Sequence, residues 1–415
     1  MLDHDFEKLL KDIRTNVFNK DFLDLRGQEL IDEKIIQLAE TLANNHYIKK
    51  IDLSYNNIGD DGIIALSKIN TISELDVHNG LDGYDEYYNH ITSKGALALA
   101  RSNLKKLNIS GNVIGDEGVK SLSTNNNIVE LDVEDCGINA EGAAEFFKTN
   151  DMVVKLNLQG NNIGDHGLST LKYNNKLKEL NLSSCQITHV GLKFIAENSS
   201  LTSLQLNNNK VSNGVFYLAK HNSLKILNLS ECEINDSDLE LFAKNNVLTE
   251  LYLQYNNITA EGVKKIAESS TISILHLEHN NIYFDKALIQ LLLSMKSLTV
   301  LNGEDNQVAR EVQKILEEEC KKTQVQQINL TIHQNIDNTI CLQYTAKTQN
   351  KRTAKRKAEE LILSQDIKEF IFCADQEQIS DFIKEITDTI KQQWEQTHKK
   401  AAYTESNFTV LRQTK

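Results

Sequence analysis

Few residues in this chain have the type and spacing that chemistry needs. Cys373 in "FCADQ" stands two residues before Asp375, a Cys-x-Asp that would suit thioester transfer. His276, Glu278 and His279 crowd one short stretch and raise the question of a metal. They occupy neighbouring positions of one predicted strand, which seldom converge on a shared ion, so no metal site is expected. No P-loop, nucleophile elbow or HExxH is present. Six cysteines without a CxxC pair point to a reducing compartment and no structural zinc. No catalytic residue and no cofactor is therefore assigned.

Most polar residues that recur do so at one place in a repeat. The pattern is apolar-x-x-apolar-x-apolar-x-x-Asn-x-apolar, often followed by "GDEG" or a variant. It reads "IKKIDLSYNNIGDDG" from Ile48, "LKKLNISGNVIGDEG" from Leu104, "VVKLNLQGNNIGDHG" from Val153 and "LTELYLQYNNITAEG" from Leu248. Weaker copies begin at Ile72, Ile128, Leu177, Leu201, Leu224 and Ile272, and degenerate ones at Lys20 and Leu298. Twelve copies at a spacing of roughly 24 residues mark a repeat architecture. The "xxLxLxx" half alternates with period two, as a strand does, and the second half spaces its apolar residues as one or two helical turns would. The recurring glycines belong at the helix start, and pairs such as Asn125 with Asn126 suit a left-handed helix exit.

These repeats resemble the leucine-rich repeat over roughly residues 20 to 310. The "NxIGDEG" segments are similar to the ribonuclease-inhibitor type. The period and "GALALA" after Lys94 are similar to GALA-type repeats, known from bacterial effectors. The resemblance implies an α/β solenoid, a horseshoe with a concave parallel sheet and convex helices. It also implies a ladder in which one side chain per coil bonds the backbone of its neighbours. Asn56, Asn112, Asn161, Asn209, Asn256, Asn280 and Asn306 occupy that place, and Cys136, Cys185 and Cys232 replace them in other copies. A thiol is small, tolerates burial and donates weakly, so it can substitute.

The expected domains are a capping helix in residues 1–19, a solenoid with its C-terminal cap in 20–320, and a small helical or α+β module in 321–415. The first cap uses Phe6, Leu9, Leu10, Ile13 and Val17. The second uses "VAREVQKILEEE" after Asn306. In the last module "VQQINLTI" and "TICLQYTA" are read as a hairpin, and "KRTAKRKAEELIL" and "QISDFIKEITDTIKQQWEQ" as helices.

Strand register converts to a surface. The amino-terminal half presents Asp52, Asp76, Asp132 and Glu134 on the concave side, an acidic stripe. The carboxy-terminal half presents Ile226, Glu250, Tyr252, Tyr255, Ile274, His276, Glu278 and His279. Rings and aliphatics outside the core are what contact hot spots look like. An insertion after Val77 carries Tyr84, Tyr87 and Tyr88 and is placed as a loop over one rim.

The net charge of −13 speaks against nucleic acid as a partner, and no apolar run is long enough for a membrane span. Residues 321–415 are locally basic, with 15 Lys+Arg against 12 Asp+Glu. The expectation is a monomeric, non-catalytic scaffold that binds a protein partner on its concave face. It is placed in the cytoplasm or delivered to a host by a non-Sec route. Two alternatives follow from resemblance. One is a GTPase-activating regulator of the Ran-pathway type, for which Arg26 is the concave arginine on offer. The other is a ubiquitin ligase or ligase adaptor, through Cys373. Such ligases have catalytic domains larger than the C-terminal segment, and an F-box would need a longer helical module than residues 1–19.

Overall fold

A computed structural model describes residues 1–80, 88–298, 300–302 and 306–308, and five strands between 327 and 414. The chain divides into two compact units, 1–224 and 225–415.

In the first unit eight three-residue strands lie in parallel and in chain order. They are β1 (Phe22–Asp24), β2 (Lys50–Asp52), β3 (Glu74–Asp76), β4 (Lys106–Asn108), β5 (Glu130–Asp132), β6 (Lys155–Asn157), β7 (Glu179–Asn181) and β8 (Ser203–Gln205). The middle residue of each strand points inward. Leu107, Leu131, Leu156 and Leu180 are all buried, as are the next inward residues Ile109, Val133, Leu158 and Leu182. Helical segments return the chain on the other side, for example Asp60–Leu66, Gly115–Ser123 and Ala140–Thr149. Two coils make do with less: Gly164–Gly167 is followed by a 3-10 turn, and Val215–Ala219 is preceded by one. No single coil can bury its own apolar face, so stacking supplies the core.

The first coil is covered by the helix Asp3–Arg14, whose Phe6, Leu10 and Ile13 are buried. Val17 does not join them. The helix stops at Arg14, and Val17 is 69% exposed.

In the second unit β9 (Ile226–Asn228), β10 (Glu250–Tyr252) and β11 (Ile274–His276) are parallel. After β12 (Tyr283–Phe284), β13 (Val300–Asn302) extends the same sheet. β14 (Gln307–Val308) pairs with β12, so Val308 enters a strand, and the rest of the expected C-terminal cap lies outside the described residues. β15 (Gln327–Gln334) and β16 (Thr339–Lys347) form an antiparallel hairpin. β17 (Leu361–Ser364) pairs with β16, so the end of "KRTAKRKAEELIL" is strand rather than helix. β18 (Glu369–Asp375), which contains Cys373, pairs with β15 and β13, and β19 (Leu411–Thr414) pairs with β16. The segment "QISDFIKEITDTIKQQWEQ" lies outside the described residues.

Three polar ladders tie coil to coil. The first runs through the Asn/Cys positions. Asn161 is buried; its Oδ1 accepts Cys136 N at 3.0 Å and Ile138 N at 2.9 Å, and its Nδ2 donates to Val133 O at 2.8 Å and Leu158 O at 2.9 Å. Cys185 donates its thiol to Leu158 O at 3.1 Å and lacks the strong amide acceptor that Asn161 offers. Its backbone makes up the difference, because Gly164 N donates to Cys185 O at 2.9 Å, as Gly115 N does to Cys136 O at 3.0 Å. Gly164 and Gly115 hold left-handed φ of 56° and 62°, and Gly111, one residue before the ladder, holds 72°. Burial pushes the Cys185 thiol up to about 12, so it is an inert thiol.

The second ladder stands at the helix exits, where a left-handed asparagine was expected. Asn125 is absent from the positive-φ residues. Its side chain instead donates to Ala100 O and Ser102 O and accepts Asn127 N and Ile128 N. Asn150, Asn174 and Asn198 repeat the bonds to the preceding coil. The left-handed residue is elsewhere, one place before the first ladder, at Tyr55, Asp135, Ser184, Asn208, Glu231, Tyr255 and His279.

The third ladder explains "GDEG". Asp165 accepts Thr188 N at 2.8 Å, Thr188 Oγ1 at 2.6 Å and Gly191 N at 2.9 Å, so an acid in one coil caps the helix of the next. Asp60 does the same for Thr92 and Gly95, and Asp236 for Thr259.

Candidate functional site

In each unit the outward positions of the strands form one face, and the two units are built differently there. In the first unit the first outward position alternates in sign. Lys50 reaches Glu74 at 3.2 Å, Lys106 reaches Glu130 at 2.8 Å and Lys155 reaches Glu179 at 3.3 Å. Each glutamate of this row therefore has its own lysine.

The acids that remain are one position further along. Asp52 is not an open contact residue: it is 5% exposed, and its Oδ2 takes Arg26 Nε at 3.1 Å and Nη2 at 2.6 Å. Its Oδ1 takes Ser54 N and Oγ. The Ser54 and Arg26 bonds outweigh the burial that opposes them and hold the Asp52 carboxyl below the usual range. Asp76 Oδ1 lies 2.6 Å from His78 Nδ1, and this bond raises the imidazole above its ordinary value. The Tyr55 ring meets His78 edge-on at 5.0 Å. Asp132 and Glu134 share one neutral donor, Asn157 Nδ2, at 3.1 and 3.0 Å. Burial raises both carboxyls. Together these strands line one open groove from Phe22 to Gln205.

The second unit presents rings. Tyr252 stacks on His276 with centroids 4.7 Å apart and 16° between planes; Tyr255 stacks on His279 at 4.0 Å and 11°. β10 and β11 bring each pair together, because Tyr252 is in register with His276. Tyr255 and His279 lie at the left-handed residue after the strand, which turns them to the rim; Tyr255 is 54% exposed. Polar anchors fix the inner pair: Tyr252 donates its hydroxyl to Glu250 at 3.1 Å, and His276 Nδ1 lies 2.9 Å from Glu278 Oε1. Glu278 is itself buried, so it orients His276 and offers little surface. Ile226 and Ile274 are half-buried beside Glu250.

The other ladder positions behave alike. Asn56, Asn112, Asn209, Asn256, Asn280 and Asn306 each donate to a carbonyl of the preceding coil and accept from its backbone. Cys136 donates to Ile109 O at 3.4 Å, and Cys232 is buried. In the interrupted coil Asn89 fills the place, and Asn79 clamps the loop stems: its Oδ1 accepts Asn89 N at 2.8 Å and its Nδ2 donates to Asn89 O at 2.9 Å. Tyr84 and Tyr87 lie outside the described residues, and Tyr88 is half-buried. Among the described residues no His, Cys, Asp or Glu group has metal-holding geometry, and no helix is long and apolar enough to cross a membrane.

Sequence reasoning missed the lysines of the first row, the second ladder and the stacking of tyrosine on histidine. The first was readable, since Lys50, Lys106 and Lys155 occupy the same repeat position as Glu74 and Glu130.

Comparison with known families matches the family described as "Leucine Rich repeat" at residues 44–67, 102–123, 124–147, 149–172, 173–196, 220–243 and 244–267. A curated relative, RAN GTPase-activating protein 2 of Arabidopsis thaliana, is 33% identical over 105 residues, which is 24% of this chain and 18% of that protein's length. Among solved structures, an internalin from Listeria monocytogenes has a TM-score of 0.48 at 17% identity, covering 72% of this chain and 89% of that one. The Rad7 and Elc1 complex of yeast has a TM-score of 0.48 at 15% identity, with 73% and 84% covered. A leucine-rich-repeat protein of Leptospira interrogans has a TM-score of 0.46 at 20% identity, with 73% and 76% covered.

Proposed function

We propose that this chain, a leucine-rich-repeat protein, is a scaffold that holds a partner protein against its concave face and performs no catalysis of its own. The observation that carries the reading is the pair of stacks, Tyr252 on His276 on the outer surface of a sheet whose inner surface is already filled, and Tyr255 on His279 on the turns that follow it. Rigid rings presented in a row lose little freedom on binding and bury much area, which is how hot spots work. The fold supplies a platform, and the function lies in what is displayed on it. Delivery into a host as a bacterial effector is the setting that the GALA-like repeats suggest.

The GTPase-activating reading gains little from the concave arginine. Arg26 is held by both Nε and Nη2 on Asp52, whereas an arginine finger must be free to reach phosphate. The relative's name supports that reading only over a short stretch of repeats. A ligase reading through Cys373 rests on a tripeptide in β18.

The experiment is capture from a lysate with wild type and with Tyr252→Ala plus Tyr255→Ala, followed by mass spectrometry. A protein retained by wild type and lost from the double variant supports the concave face. Equal retention on both rejects it.

A further inference from the structure

The alternation of charge along the first outward row ends at Ser203 in the first unit, and the second unit does not take it up again. There the row holds Ile226, Glu250 and Ile274, paired in register. In the first unit Glu74, Glu130 and Glu179 each have a lysine in reach; Glu250 has an isoleucine on each side. Its hydrogen-bond donor is the Tyr252 hydroxyl, a neutral group, and it makes no ion pair among the described residues. The outward positions of these three strands and the turns after them add Glu231 and Glu278 but no lysine or arginine.

We infer that Glu250 is the seat for a cationic side chain, an arginine or lysine, of the bound partner protein. This rests on the concave-face reading and specifies its chemistry. The isoleucines flank the carboxylate about 4.8 Å away on either side, the spacing of neighbouring strands, so they can receive the aliphatic stem of the cation. The Tyr252 hydroxyl holds the carboxylate from one side, and the stack on His276 holds that ring in place. The partner thus supplies from outside the cation that Lys50, Lys106 and Lys155 supply within the sheet. An ion pair flanked by apolar groups loses water on closure and discriminates against partners that cannot fill it.

A phage-displayed library of random dodecapeptides, selected on the full chain, provides the probe. The strongest peptide is synthesised and titrated by calorimetry. The selected peptides should be enriched in lysine or arginine, and replacing the key cation by norleucine should weaken binding about tenfold, the scale of a charge-assisted hydrogen bond. In the Glu250→Gln background that replacement should change little. Ile274→Lys should weaken the cationic peptide by placing a lysine beside Glu250, with every carboxylate kept. Glu179→Gln, whose glutamate already has Lys155, should leave binding unaltered. A selected set without cations, no selected peptide, additive effects of the two changes, or full binding to Ile274→Lys would each overturn the inference. If Tyr252→Ala with Tyr255→Ala abolishes binding while Glu250→Gln does not, the concave face stands and the cation seat falls. If neither alters binding, both readings fall.

Discussion

Asp165 Oδ1 accepts the backbone N–H of Gly191 at 2.9 Å, and a β-carbon on that glycine would stand 2.5 Å from the same oxygen. The glycine of "GDEG" is therefore set by the aspartate of the coil before it. The φ of Gly191 is not among the positive values, so space, not backbone freedom, demands the glycine. Gly191→Ala should cost about 1–3 kcal/mol, as overpacking does. Part of that cost should vanish in an Asp165→Ala background, because one obstruction is gone, while Ile187 still crowds the site. A denaturation double-mutant cycle measures this, and strict additivity would sink the explanation.

The two kinds of ladder residue should rank differently. Asn161→Ala strips two acceptors and two donors of their partner in the interior and should cost on the order of 3 kcal/mol. Cys185→Ala removes one weak bond and a little volume and should cost roughly 1 kcal/mol. Urea unfolding of both variants checks the order. A cysteine change that proves the more damaging would contradict it.

Binding kinetics should divide by unit. Tyr252→Ala with Tyr255→Ala should raise the off-rate of the captured partner by about tenfold or more, since a ring hot spot is worth roughly 2 kcal/mol. Asp76→Asn with Asp132→Asn should lower the on-rate about threefold at low salt and less at high salt. Asp52 is unsuited to this test, because it is buried under Arg26 and its loss would disturb the sheet. Surface plasmon resonance at two salt concentrations reads both. Unchanged kinetics in both variants would move the binding site off the concave strands.

Mild acid should strengthen the His78 contact. The Asp76 bond raises the imidazole above its ordinary 6.5, so the folded state holds this proton more tightly than the unfolded chain. The stabilisation is fully present below about pH 6.5 and is lost as the pH rises through the higher folded-state value. Asp132 and Glu134 act in the same direction for a different reason. Burial raises both, so the folded state loses stability as the pH climbs from their ordinary values of 3.8 and 4.5 through the raised ones. Asp132→Asn should therefore raise the melting temperature at neutral pH, and His78→Gln should lower it more at pH ~6 than at pH ~8. Melting curves across that range decide; a His78→Gln penalty that grows with pH would reverse the assignment.

The fold was legible because its signal repeats: "LxL" with a ladder residue recurs where β2, β4, β6 and β10 stand. The face was legible too, since period two assigns every outward residue. What escaped was pairing across coils. Asp52 looks like any other concave acid until Arg26, a coil away, closes over it. Asn125 looks like a helix stop until its amide is seen on the carbonyls of the previous coil. Such partners are more than twenty residues apart, and local spacing carries no trace of them.

The alternation along β4 to β7 has a consequence for how such a chain can change length. Lysine coils there carry ladder asparagines at Asn112 and Asn161, and glutamate coils carry Cys136 and Cys185. Removing one coil would set lysine against lysine and asparagine coil against asparagine coil. Removing two would restore the alternation. The unit that can be duplicated or lost without a seam is thus a pair of coils, and growth or shrinkage of this solenoid should proceed two turns at a time.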